Sequence, residues 1–502
     1  MTTSNTTTAT AAAVPGHLPQ APVLPQDPVL PQLATALDAA AMAPVWARAL
    51  PPGTRLLGCT VERIKYRPRR NLSVAYRLQL RCGAAQFDQP VAARFTTPTD
   101  ALRRLQAARA RGAPAGPSGL AVSHDPVLHL VAHWWPHDPK LPAAALLADP
   151  AALAARCAPQ LAGPLAAAGW HSGWQPGDGS APLRAEVRLA QLVPEQRVAA
   201  RVTLHGALTR VDLIAKASAD GRGGVTQAVM AALWLSPARR AGRLRMPRPL
   251  LWQPDLGLHW QCALPGEALL DRLARAQAAG DRSALQGLQA QAGGLLAALH
   301  GTPVPAVRRV TVAELGDRLQ GLRDTLAFTA PDWLARFAPL LDQLAAGLPL
   351  WLQQQPPVTL HGDLHPRNLL CERDHLSLID FDSVRHGPAV LDLGSWCADS
   401  LFRDLLAGRP VAGASAGLSA FLGAYRSAAR AAGLVPPDLA LVVRATAWQL
   451  VCERAWRCLV NLKPGRFAQV PAVLALAEAL WQTGRLPAPT ARTRQTSEEG
   501  LP

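Results

Sequence analysis

No uninterrupted apolar run in this 502-residue chain reaches the ~20 residues that a helix needs to cross a bilayer. The nearest approach, the alanine-rich stretch from Pro142 to Trp170, is broken by Asp149, Pro150, Arg156 and two further prolines. A helical membrane anchor is therefore not expected. The opening MTTSNTTTATAAAVPGHLPQ has no basic n-region, because the first arginine is Arg48, so it does not read as a secretory signal. No two of the eight cysteines (Cys59, Cys82, Cys157, Cys262, Cys371, Cys397, Cys452, Cys458) form a CxxC pair. That spacing gives no sign of a zinc site and points to reduced, mostly buried thiols. Together these absences predict a soluble, cytoplasmic protein.

Acidic residues are outnumbered, 35 against 51, giving a net charge of +16 and a pI near 10.6. A surplus of this size raises nucleic acid or an anionic membrane surface as partners. The arginines, however, sit in scattered pairs such as Arg69-Arg70, Arg103-Arg104 and Arg239-Arg240, with no basic stripe interleaved with aromatics. Specific nucleic-acid binding and membrane association are not expected. The same charge disfavours a polycationic ligand. Hydrophobic residues at 49% and charged residues at 17% describe a globular chain with room for about three domains.

Residues 1–32, rich in Thr, Ala, Pro and Gln, read as a disordered tail, and a helix is predicted from Leu33 to Ala49. From Cys59 the pattern has period two. CTVERIKY and LSVAYRLQL form a hairpin around Arg67-Pro68-Arg69-Arg70-Asn71, Val91 to Phe95 a third strand, and Asp125 to Pro136 more strand. The order then recurs: a hairpin from Ala185 to Gly206 around Pro194, a strand from Arg210 to Ser218, a helix from Gly224, and a β-rich run from Trp252 to Leu264. We read an internal repeat of just over 120 residues. The remainder is helical apart from one β-rich region. The expected domains are a lobe-like module with its linker over 33–180, a β-rich lobe over 181–264 and a helical lobe over 265–485, before a disordered tail over 486–502.

The chemistry concentrates in VTLHGDLHPRNLL, Val358 to Leu370, and LSLIDFDSVRHGPAVLDLGSW, Leu376 to Trp396. An apolar strand delivers His361-Gly362-Asp363, four residues separate Asp363 from Asn368, and a second strand delivers Asp380-Phe381-Asp382. Phosphoryl transfer to a hydroxyl needs one carboxylate for the hydroxyl proton and oxygen ligands holding Mg²⁺ on the nucleotide phosphates. One rigid loop and its neighbour supply both.

HGDLHPRN with IDFD resembles the aminoglycoside phosphotransferase and choline kinase family, a small-molecule branch of the protein-kinase-like fold; protein kinases carry the same order of groups. The resemblance implies an α+β, two-lobed fold, here with an additional N-lobe-like module at the N-terminus. It implies Asp363 as catalytic base, with His361 bracing the loop; Arg367, inside the same loop, is either a solvated loop arginine or a catalytic group neutralising charge on the transferring group or an anionic acceptor. Asn368, Asp380 and Asp382 become metal ligands, and His365 and Asp392 loop supports. Lys216, in the apolar strand LIAKA, is an awkward core residue unless it meets an anion, and the nucleotide phosphates are that anion in the kinase scheme. Arg94 holds the matching place in the first repeat. Cys262 and Leu264 fall where the lobe hinge meets adenine. Trp396, Asp399, Trp448, Glu453 and Trp456 are candidates for the acceptor pocket. Two departures stand out: no glutamate follows Lys216 on the next helix, where Gln227 is the nearest polar candidate, and no glycine-rich loop covers the phosphates.

The expected activity is transfer of the γ-phosphoryl group of ATP or GTP, with Mg²⁺, to a hydroxyl of a small metabolite. The alternatives are an inactive kinase-like scaffold and a basic surface that binds nucleic acid or membrane. The N-terminal module is expected to act as a lid, a substrate-selecting cap or a dimer surface.

Overall fold

Alternating apolar and polar side chains, with one face of a strand buried and the other wet, account for two five-stranded antiparallel sheets. The computed structural model describes residues 24–110, 112, 115–170, 183–206, 209–305 and 307–487. Residues 1–23 and 488–502 of the expected tails, and 171–182 of the expected linker, lie outside them.

The first sheet contains β1 (Thr54–Arg67), β2 (Asn71–Cys82), β3 (Ala85–Phe95), β4 (Val122–Asp125) and β5 (Leu130–Trp134) in the order β1-β2-β3-β5-β4. The second contains β6 (Arg184–Val193), β7 (Arg197–His205), β8 (Arg210–Ser218), β9 (Pro249–Gln253) and β10 (Leu258–Cys262) in the order β6-β7-β8-β10-β9. The two orders are the same. Each third strand is followed by a helix, Pro98–Ala110 and Gly223–Trp234 respectively. A helical lobe follows, interrupted by β11 (Glu267–Ala268), β12 (Pro357–Leu360), β13 (Leu369–Glu372), β14 (His375–Leu378) and β15 (Arg385–Pro388). The chain thus has a β-rich lobe and a helical lobe, with an additional N-terminal module that repeats the strand order of the β-rich lobe.

Three expectations are corrected. Residues 24–32, placed in the tail by composition, pack on the first sheet: Leu30 is buried, and Asp27 accepts from Tyr66 Oη at 2.9 Å and the Arg69 N–H at 2.8 Å. The helix expected from Leu33 to Ala49 is two, Leu33–Leu37 and Ala39–Ala49, because Asp38 is extended and its carboxylate caps the second by accepting from Ala40 and Ala41. The helix Pro150–Ala167, grouped with the first module, instead lays Leu153, Cys157, Leu161 and Leu165 on the second sheet against Val198, Val202, Leu258 and Trp260. Its four apolar residues recur every four positions, giving one stripe.

That helix covers one face of the second sheet. The first sheet belongs with the helical lobe: Trp46, Tyr76 and Trp134 share one continuous apolar core with helical-lobe residues such as Leu296, Trp351 and Leu459. Each fully buried leucine in such a core contributes roughly 1.5–3 kcal/mol. No helix among the described residues is long and apolar enough to cross a membrane.

Candidate active site

The antiparallel pairs β12–β15 and β13–β14 hold the two motif segments side by side. Between them the chain turns at Gly362, whose φ of +79° suits glycine and whose added Cβ would lie 2.2 Å from Ser383 O. Only glycine permits that approach. The turn is pinned from the helix Val390–Leu406, where buried Asp392 accepts from the His361 N–H at 2.6 Å and the Gly362 N–H at 3.0 Å. Its Oδ2 also faces His300 Nε2 at 3.2 Å, and His300 Nδ1 lies 2.9 Å from Tyr425 Oη. Burial works against the charged form of Asp392, but the His300 hydrogen bond and these partners hold its carboxyl below the usual range. His361 braces the far side, Nε2 meeting Ile379 O at 2.9 Å.

Asp363, Asn368 and Asp380 all line one cleft of about 820 Å³. Asn368 is buried and donates through Nδ2 to Asp363 O at 2.9 Å, which leaves its amide oxygen free. His365 caps the short turn Pro366–Asn368 and stands 3.8 Å from Asp363 Oδ2; burial pushes it below its ordinary value, against the pull of Asp363. Arg367 is an exposed loop residue on the cleft wall. Asp380 adopts a left-handed backbone, φ 66° and ψ 64°, a conformation that costs a non-glycine residue free energy and gathers at functional sites.

Lys216 reaches across from β8, its Nζ 2.6 Å from Asp380 Oδ1 and 3.2 Å from Asp382 Oδ2. Burial disfavours the ammonium, yet the two carboxylates raise it above its ordinary value. Asp380 is held far below the carboxylate range despite its own burial, chiefly by Lys216, while burial and Asp380 push Asp382 up. These two acids are the counter-charges of Lys216. Opposite Lys216 in the sheet lies His259, fully buried and lowered to about 3 by burial and the neighbouring ammonium. It is neutral at physiological pH. Two carboxylates and an amide oxygen are hard donors suited to Mg²⁺ with phosphate oxygens completing the shell.

Two pocket candidates are corrected. Trp396 is fully buried, stacked on Phe421 at 4.9 Å and donating to Gln289 Oε1 at 2.7 Å, and Trp448 is equally buried. Helical periodicity marks a face without saying what it faces, and these two face the core. Asp399, Glu453 and Trp456 do line the cleft. Cys262 and Leu264 do not; the Cys262 N–H is taken by Arg248 O at 2.9 Å and so cannot meet a base. Sequence reasoning missed His300 as the third anchor of the loop, and Glu195. Glu195 sits in the β6–β7 turn, and its carboxylate meets Arg94 at 2.9 Å and Lys140 at 3.2 Å while its N–H donates to Asp138 at 2.7 Å. The β6–β7 turn is thus fastened to the N-terminal module.

Residues 195–432 match the model of the phosphotransferase enzyme family, the family that HGDLHPRN and IDFD resemble. No curated protein matches the chain. Among solved structures it is similar to a choline/ethanolamine kinase family protein from Mesorhizobium loti (17% identity over 62% of this chain and 95% of that chain, TM-score 0.40). It is also similar to a choline kinase from Cryptosporidium parvum Iowa II (13%, 60% and 92%, TM-score 0.42) and an amicoumacin kinase in complex with AMP-PNP and Ca²⁺ (15%, 60% and 90%, TM-score 0.42).

Proposed function

We propose that this chain moves the γ-phosphoryl group of ATP or GTP, with Mg²⁺, onto a hydroxyl of a small molecule. The observation that carries the reading is the convergence of Asp363, Asn368 and Asp380 on one cleft with Lys216 Nζ 2.6 Å from Asp380. Asp363 takes or orients the hydroxyl proton from a half-exposed position reachable by an acceptor. Asn368, its amide group fixed by Asp363 O at 2.9 Å, would hold Mg²⁺ through its oxygen together with the carboxylates of Asp380 and Asp382. When bound, Mg²⁺ neutralises charge on the phosphates. Lys216 adds a second positive charge there, and the braced His361-Gly362-Asp363 turn holds the base still. Arg367 offers its charge to the transferring group or the acceptor.

In the Asp363→Asn variant, AMP-PNP with Mg²⁺ should raise the melting temperature as much as in the parent, while ADP release with any accepted hydroxyl compound falls at least ~100-fold. Turnover at the parental rate would remove Asp363 from the reaction. Binding that does not depend on Mg²⁺, without turnover, would favour the scaffold.

A further inference from the structure

The cleft is cationic to a degree the proposed reaction does not require. Twelve Lys and Arg side chains line the cleft against six Asp and Glu. The acids are largely spoken for within the protein: Glu195 faces Arg94 and Lys140, Asp399 faces Arg403 and Arg454, and Glu453 faces Arg318. Several cations are not. Arg63, Lys65 and Arg67 fall at alternate positions of β1, hence on one face of the strand, and all three line the cleft. No described carboxylate comes within 4.0 Å of any of them, nor of Arg197.

These groups act electrostatically on one another, with Glu195 the one carboxylate that opposes them at Lys65. Loss of solvent and the guanidinium groups of Arg197 and Arg457 hold Arg63 below its ordinary value; loss of solvent and Arg67, Arg94 and Arg63 do the same to Lys65. Like charges gathered where water is restricted are stabilised by a counter-anion more strongly than they would be on an open surface. Arg457 ties the cluster to the chemistry, because its Nη2 lies 3.6 Å from Asp363 Oδ1. Buried Arg454, on the same cleft wall, has an Nε with no hydrogen-bond partner.

We infer that the acceptor is a hydroxyl compound already bearing an anionic group, a phosphate or a carboxylate, which Arg63 and Lys65 of the N-terminal module and Arg457 of the helical lobe receive. This deepens the phosphotransferase reading and rests on it. The N-terminal module is then the part of the molecule that selects the acceptor, and a polycationic acceptor is repelled at the same place. Lys216, on the other sheet, already supplies the cation for the nucleotide phosphates, so the β1 cluster is not needed there.

The test uses the full chain. Mg²⁺ and AMP-PNP are first brought to saturation, and inorganic phosphate is titrated in by calorimetry. Phosphate should bind with nucleotide in place, and Arg63→Ser/Lys65→Ser should weaken it at least tenfold while AMP-PNP affinity moves less than threefold. Arg457→Gln, on a different element, should weaken phosphate in the same sense. Undetectable phosphate binding, or binding unchanged by both variants, overturns the inference. So does an equal loss of AMP-PNP affinity, which would assign the cluster to the nucleotide. If AMP-PNP itself fails to bind the parent protein, the phosphotransferase reading fails, and phosphate titrated alone still reads the cationic site. Glucose 6-phosphate, gluconate and glucose then separate phosphate from carboxylate as the anchor. Preferential phosphorylation of glucose over both anionic compounds also overturns the inference.

Discussion

Asp392 does not line the cleft, yet it anchors the turn that carries Asp363 into it. It satisfies two buried backbone N–H groups and a buried histidine at once. Replacing it with asparagine sets an amide N–H₂ against at least one of those donors, which should cost about 1–3 kcal/mol. Because the folded carboxyl is depressed, its stabilisation is fully present above the unfolded value near ~3.9 and is lost as pH falls through the lower folded value. Urea denaturation should therefore separate Asp392→Asn from the parent at pH 7, and the gap should close as pH drops below about 4. At this scale the meeting of Asp363, Asn368 and Asp380 in one cleft was legible because their order along a short stretch of chain almost fixes their order in space. Trp396 and Trp448 were not, since an aromatic at helical spacing is compatible with either side of its helix. His300 was not legible either, because its partner Asp392 lies 92 residues away.

Strands and hairpins were the most legible elements. Period-two patterning placed the strand Arg210–Ser218 at its observed limits, and both hairpin turns fell where proline and charged residues interrupt the alternation. The docking of one element on another was not legible, as Glu195 illustrates. In sequence it is one charged turn residue; in the structure it is a latch between the β6–β7 turn and the first sheet. Glu195→Gln should loosen that turn, raising the nucleotide KM severalfold while kcat moves less. Combining it with Arg94→Gln should add little further, because the two residues share one interaction. Independent, additive losses in steady-state kinetics would show that the latch does not act on the nucleotide.

For the whole molecule, the two sheets are alike in strand order but have different fates. The second sheet builds its own core under the helix Pro150–Ala167, whereas the first is continuous with the helical lobe. Period-two patterns revealed that there were two sheets; no local pattern reveals which neighbour each shares a core with. The internal pairing of Arg94 fixes a stoichiometry. The first sheet carries its cation where the second carries Lys216, but the counter-charge has been supplied in cis by a side chain of the same polypeptide. A second nucleotide would have to evict Glu195 to enter. Equilibrium dialysis of the intact chain should accordingly saturate at one AMP-PNP per polypeptide, and two would mean that the β6–β7 turn swings clear of Arg94.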